Sequence, residues 1–178
     1  IEEGDFDRAA RRRQQVRNLL EAYGYRFSAT TRDALEVYAR FGEKRWGEAL
    51  AAVEIYKQSP MPMLNLLATG LEGRILAEMQ DWKRLDAVLE AGSRLEKEVG
   101  RVTPFHGCHL AIARQAGALN EYQVALQTSR NTRPARRKAA RAAKVAAGIA
   151  ERMAPIRVPN LRLEARLAAL NGQEEKAA

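Results

Sequence analysis

Residues 64–95 read LNLLATGLEGRILAEMQDWKRLDAVLEAGSRL, and their apolar spacing decides the fold class. Leu64, Leu67, Leu71, Ile75 and Met79 recur at intervals of three and four, and Leu85, Val88, Leu89 and Leu95 form a second such set. At about 3.6 residues per turn, each set lies along one stripe of an α-helix. Gln80-Asp81-Trp82 between them is short and polar. The stretch therefore predicts two helices joined by a tight turn, each with one face to bury.

The same layout extends in both directions. Proline, glycine and polar clusters punctuate helices, and they predict breaks near Tyr23 to Ser28, at Ser59-Pro60-Met61-Pro62, at Gly100 to Pro104, at Thr128 to Pro134, and between Pro155 and Pro159. The sequence has no sustained apolar/polar alternation and no Asn-Gly or Asp-Gly hairpin between β-branched runs, so strands are not expected. An aromatic opens the second helix of several predicted hairpins, with a small or aliphatic residue three positions on: Phe6 with Ala9, Trp46 with Ala49, Trp82 with Leu85, Tyr122 with Ala125. Successive aromatics stand 40, 36 and 40 residues apart. A weaker copy puts Glu174 in the same slot 52 residues after Tyr122, an interval that must hold an additional helix.

Gly4-Asp5-Phe6-x-x-Ala9 and Gln80-Asp81-Trp82-x-x-Leu85 resemble the turn and second-helix start of tetratricopeptide repeats. The resemblance implies an all-α fold of antiparallel helix hairpins stacked into a right-handed α-solenoid of about four to five repeats. It also implies small residues where helices close on one another, at Gly73, Ala113 and Ala165, with Val37 a poorer fit. The chain departs from the family in lacking the Trp and Tyr of the first helix, in matching the closing proline only loosely with Pro60, and in its longer intervals. It is similar to a divergent member. Pentatricopeptide repeats, which bind RNA, share the hairpin geometry, and Gly100 to Pro104 ahead of His109-Leu110 resembles their repeat junction. On this reading one domain divides into a partial first repeat at 1–27, repeats at 29–60, 61–103 and 104–131, an extra basic helix at 132–155 and a terminal repeat at 156–178. The chain opens where a second helix is due, so it reads as part of a longer array, with any targeting segment outside it.

Composition narrows the function classes. The 178 residues are 46% hydrophobic and 29% charged, enough for a folded core, and no apolar run approaches the roughly 18 residues of a membrane span. A single cysteine, Cys108, excludes an intramolecular disulfide framework and fits a reducing intracellular compartment, either cytoplasm or an organelle matrix. Lysines and arginines outnumber acids 30 to 22, for a net +8, which favours an acidic partner.

Two groups of residues are candidates for binding. In the family resembled, first helices line a concave surface, and the slot eight residues before the second-helix aromatic faces that groove. Arg74, Arg114 and Arg166 occupy the slot, with Tyr38 in the earlier copy. Guanidiniums in a column suit bidentate capture of carboxylates or phosphates; pairing within a helix, as between Arg74 and Glu78, is the competing reading. The second group is Arg130, Arg133, Arg136, Arg137, Lys138, Arg141 and Lys144, a run without an acid. Pro134 suits a first turn, and Ala135, Ala139, Ala142, Ala143, Ala146 and Ala150 supply a small-residue face, so the run predicts a helix with one packing side and one basic side. RNA, DNA, an acidic protein surface or anionic lipid would neutralise it, and a merely solvated face is the plain alternative.

Catalytic and metal signatures are missing. His106-x-Cys108-His109 is the only grouping with ligand chemistry, but three side chains so spaced on one helix do not converge on an ion, and packing is expected. There is no phosphate loop, His-Glu-x-x-His or Gly-x-Ser-x-Gly, so neither enzyme activity nor a metal, cofactor or small-molecule substrate is expected. Trp46, Trp82 and the Gly70 to Gly73 pair read as packing positions. The leading expectation is a non-catalytic scaffold binding an acidic protein segment along its concave face, without membrane insertion. The alternative is a pentatricopeptide-like RNA-binding or ribonucleoprotein subunit using the 130–144 helix. A regulatory segment of a multidomain signalling or transcription protein is the second alternative.

Overall fold

The computed structural model describes residues 6–23, 26–128 and 131–172, and over these residues the chain is helical and contains no strand. In order come α1 (Phe6–Tyr23), α2 (Arg26–Gly42), α3 (Trp46–Tyr56), α4 (Pro62–Glu78), α5 (Trp82–Val99), α6 (Pro104–Gln127), α7 (Arg133–Ala150), a 3-10 turn (Ala154–Ile156) and α8 (Arg157–Leu170). The all-α expectation holds for this part of the chain, and no helix in it is long and apolar enough to cross a membrane.

Local chemistry accounts for most boundaries. Pro62 and Pro104 open α4 and α6, where the missing N–H would have no intrahelical acceptor anyway. Asp81 caps α5 by accepting from the Arg84 N–H at 3.2 Å. Gly100 ends α5 at a φ of 73°. The turns before α3 and α5 are the same turn, 36 residues apart. Lys44 and Gln80 both adopt left-handed φ, 58° and 59°; Arg45 and Asp81 follow with near-identical dihedrals. In each, the N–H three residues past the helix end reaches back five residues, Arg45 to Arg40 and Asp81 to Leu76, at 2.9 Å. Gly172, at φ 72°, takes the corresponding place after α8.

Helices pair with their chain neighbours, and α4 and α6 also pack directly on each other across α5. Both are buried nearly all round, α4 from Leu66 through Gly73 and α6 from Gly107 through Ala113. Their separation is set by glycine: a Cβ on Gly70 would lie 2.5 Å from the Leu110 backbone nitrogen, and one on Gly73 2.8 Å from the Ala113 Cβ. The small residues expected at Gly73 and Ala113 thus meet face to face, and the two contacts, each 40 residues apart, make α4 and α6 parallel. Val37, Val53, Leu67, Leu71 and Ile75 form the core of α2–α4; Leu76, Leu85, Val88 and Ala113 carry it through α4–α6. Ile112, Ala146 and Ile156, with Tyr122 and Ala139 further along, continue it to α8. Trp46 and Trp82 pack at the edges of these clusters, as expected.

One expectation is corrected. Tyr122 does not open a second helix, because α6 runs unbroken from Pro104 to Gln127. Gly117-Ala118-Leu119-Asn120-Glu121 holds no helix stop, and Asn120, in the slot that is left-handed at Lys44 and Gln80, stays helical. Ala118, Leu119 and Tyr122 are buried, and Ala118 and Tyr122 pack on Ala135 and Ala139 of α7, so continuing the helix buries apolar surface that a turn there would expose. The basic helix expected to be extra pairs with α6 as α5 pairs with α4 and α3 with α2.

Candidate functional site

The residues of the predicted column are placed on α2, α4, α6 and α8, and each described arginine among them is engaged inside the chain. Arg74 lies 4.9 Å over the Phe41 ring and sits 2.9 Å from His109 Nδ1. Guanidinium only donates, so Nδ1 accepts and the ring proton stands on Nε2, which donates to Tyr38 Oη at 2.6 Å. Burial, together with the Arg74 charge, holds the His109 imidazole well below its usual range, so it is neutral. Tyr38, Arg74 and His109 therefore tie α2, α4 and α6 together beneath the surface. Arg114 gives its fork to Glu96 of α5 at 2.9 and 2.6 Å and also donates to Ser93 Oγ. Arg166 of α8 donates to Gln123 of α6.

Sequence reasoning assigned His109 to packing and did not foresee its bridging role, since Tyr38, Arg74 and His109 stand on three helices and share no local pattern. The Arg114 partners on α5 were likewise without a signal. His106, Cys108 and His109 diverge as expected: His106 Nδ1 meets Thr103 Oγ1 at 2.8 Å, the Cys108 thiol donates to the Phe105 carbonyl, and His109 faces α2 and α4. Among the described residues no cluster of His, Cys, Asp or Glu could hold a metal.

The basic run behaves differently. Arg133, Arg136, Arg137, Lys138, Arg141 and Lys144 all lie on α7 and are exposed, while Ala135, Ala139, Ala143, Ala146 and Ala150 are buried on its other side. Arg130 lies outside the described residues. Among the described residues only Lys138 of these has an acidic partner, Glu121 at 2.5 Å, in a pair more than half exposed, which is worth little in water. The other five make no ion pair with any described residue. Arg133, Arg137, Arg141 and Lys144 follow one another at four, four and three residues, a ridge about 16 Å long at the helical rise of 1.5 Å per residue. Like charges at this spacing repel, and α7 forms nonetheless because alanine is the best helix former and its face packs closely.

The ridge belongs to a larger imbalance. Residues 130–167 carry eleven lysines and arginines against two glutamates, a surplus of nine, whereas the whole chain carries +8. The rest of the molecule is close to neutral. Beside α7 lies a cleft of about 890 Å³ floored by α6 and walled by α5, which does not touch α7. Its lining includes Trp82, Asp86, Glu90, Arg114, Glu121 and Lys138. The chemistry available is thus an exposed cationic ridge next to a cleft of mixed charge. No protein-family model, no curated protein and no solved structure matches the chain.

Proposed function

We propose that the chain is a non-catalytic helical-repeat module, a divergent right-handed solenoid of the tetratricopeptide type, that holds the phosphate backbone of a nucleic acid on α7. The observation that carries the reading is the α7 face: five exposed cations without an acidic partner among the described residues, on a helix fastened from behind by packed alanines. Five such charges crowded onto one helix repel until a polyanion neutralises them. The repeat assignment is supported by the matching turns at Lys44 and Gln80 and by the parallel α4 and α6 at a 40-residue offset. A protein partner along Arg74, Arg114 and Arg166 ranks below this reading, because those guanidiniums already serve acceptors and a ring within the chain.

The test is fluorescence anisotropy with a labelled RNA of random sequence, titrated with salt. Log affinity should fall linearly with log salt. Combining Arg133→Gln, Arg137→Gln, Arg141→Gln and Lys144→Gln should lower the magnitude of that slope by about 3 to 4, as loss of four phosphate contacts requires. A quadruple variant that keeps its helicity and binds with an unchanged slope refutes the assignment.

A further inference from the structure

We infer that the nucleic acid held on α7 is double-stranded and is read through its phosphates alone. This deepens the reading of α7 as a phosphate-binding face and rests on it. Three observations separate a duplex from a single strand.

The first is aromatic content. Proteins that hold single strands stack bases on Phe, Tyr or Trp, and the sequence has none of these after Tyr122, itself buried. α7 itself therefore offers a strand's bases no aromatic platform, and the one aromatic lining the cleft beside it, Trp82, stands among Asp86, Glu90 and Glu121. The second is shape. Single strands run in cationic grooves that track the backbone, whereas α7 offers the outer side of an exposed helix. The buried alanines lie opposite the ridge of Arg133, Arg137, Arg141 and Lys144, with Arg136 on one flank and Lys138 on the other. A convex rod with unpaired cations along its crest and on the Arg136 flank fits along a duplex groove, which is bordered by a phosphate rail on each side. The third is the charge of the neighbouring cleft. Asp86, Glu90 and Glu121 line it, while Arg114 and Lys138 there are already paired with Glu96 and Glu121. That cleft repels phosphates, so the backbone is confined to the convex ridge.

The ridge has a defined end, since Glu151 closes α7 as the first acid after Glu121. Between Arg133 and Lys144 stand only Pro134, alanines and further cations, with no Asn, Gln, Asp or Glu to read adenine or cytosine edges, and the ridge cations are assigned to phosphates. The duplex is therefore recognised by its backbone and groove shape, without sequence preference.

The experiment uses the whole chain and labelled duplexes of about 20 base pairs, one of RNA and one of DNA, with their separate strands, from about 50 to about 200 mM salt. The expected result is that at least one duplex binds about tenfold or more tightly than its own strands, and that its affinity falls about 150-fold over that salt range, as four phosphate contacts predict. Arg133→Gln, Arg137→Gln, Arg141→Gln and Lys144→Gln together should abolish the preference while circular dichroism stays helical. Tighter binding by the RNA or by the DNA duplex supports the inference in either case and identifies which backbone geometry the ridge fits. Strands that bind as tightly as duplexes overturn the inference and leave α7 a phosphate-binding face. If no nucleic acid binds, both readings fall. Polyglutamate of matched charge binding as tightly as the duplex also overturns both, and assigns the ridge to an acidic protein.

Discussion

Two helical glycines should respond to the same substitution with opposite signs. In an unstrained helix interior, replacing Gly with Ala gains about 1 kcal/mol through helix propensity. Gly148, on α7, has nothing within 4 Å of the added Cβ, so Gly148→Ala should raise the thermal midpoint by about 2–4 °C for a chain of this size. At Gly70 the new carbon would lie 2.5 Å from the Leu110 nitrogen and 3.0 Å from the His109 Cβ. The opposing nitrogen is backbone of a buried helix and cannot swing aside, which puts overpacking near the upper end of its range, about 3 kcal/mol. Subtracting the propensity gain leaves a net loss of about 2 kcal/mol and a fall of about 4–8 °C. Circular dichroism melts of the two variants beside the parent protein give the answer. A Gly70→Ala midpoint at or above the parent's would refute the close approach of α4 and α6.

Stability should also decline on mild acidification. The His109 imidazole is held below its ordinary 6.5 by burial and by Arg74, so the unfolded chain takes up the proton first. Its contribution is full above about pH 6.5 and is lost as pH falls, by at most about 1.4 kcal/mol per pH unit. His106 is shifted the same way by partial burial and adds a smaller part. Melts between about pH 7.5 and about pH 5 should show the decline, and His109→Gln, which can still accept from Arg74 and donate to Tyr38, should remove most of it; a parent midpoint flat across that window rules out a buried neutral ring. Asp81→Ala removes the α5 cap and should lower stability by about 1 kcal/mol, whereas Asp81→Asn should stay within a few tenths; equal losses from both, measured by urea unfolding, would mean the side chain does not cap.

The helices were legible in the sequence because their signals are local. Pro62, Pro104 and Pro134 mark starts, Gly100 marks a stop, and the Leu64 to Leu95 stripes give the period. The turns at Lys44 and Gln80 were found through the tryptophans that follow them, since a left-handed Lys or Gln carries no glycine signature. The same aromatic cue misled at Tyr122, where an aromatic in register sits on a helix that continues because its neighbours pack on α7. A period in sequence reports that positions are equivalent, not that the chain turns there. The alanine and arginine faces of α7 were legible for the same reason as the stripes: both are properties of one helix. Contacts that join helices were not. Nothing local connects Tyr38 to His109, or Arg114 to Glu96, and so the arginine column could be aligned by counting while its engagement inside the chain stayed invisible.

That engagement changes what the positive charge means. Between α1 and α3 four arginines are answered by acids: Arg13 by Glu36 and Glu43, Arg17 by Glu36, Arg40 by Glu36, Glu43 and Glu48, Arg45 by Glu43 and Glu48. Arg114 is answered by Glu96. Where an arginine meets another helix of this chain, an acceptor has been supplied for it. On α7 Arg133, Arg136, Arg137, Arg141 and Lys144 have none among the described residues, although a single glutamate four positions along the helix would relieve part of the repulsion. Elsewhere single cations such as Arg11, Lys83 and Arg94 also lack an acid among the described residues, but α7 gathers five of them on one helix. Here the surplus of nine between 130 and 167 exceeds the net charge of the entire molecule, and its centre is α7, a helix whose packed face is alanine and whose outer face is cation. The charge on α7 is therefore a feature of that surface, left for something outside the chain to neutralise.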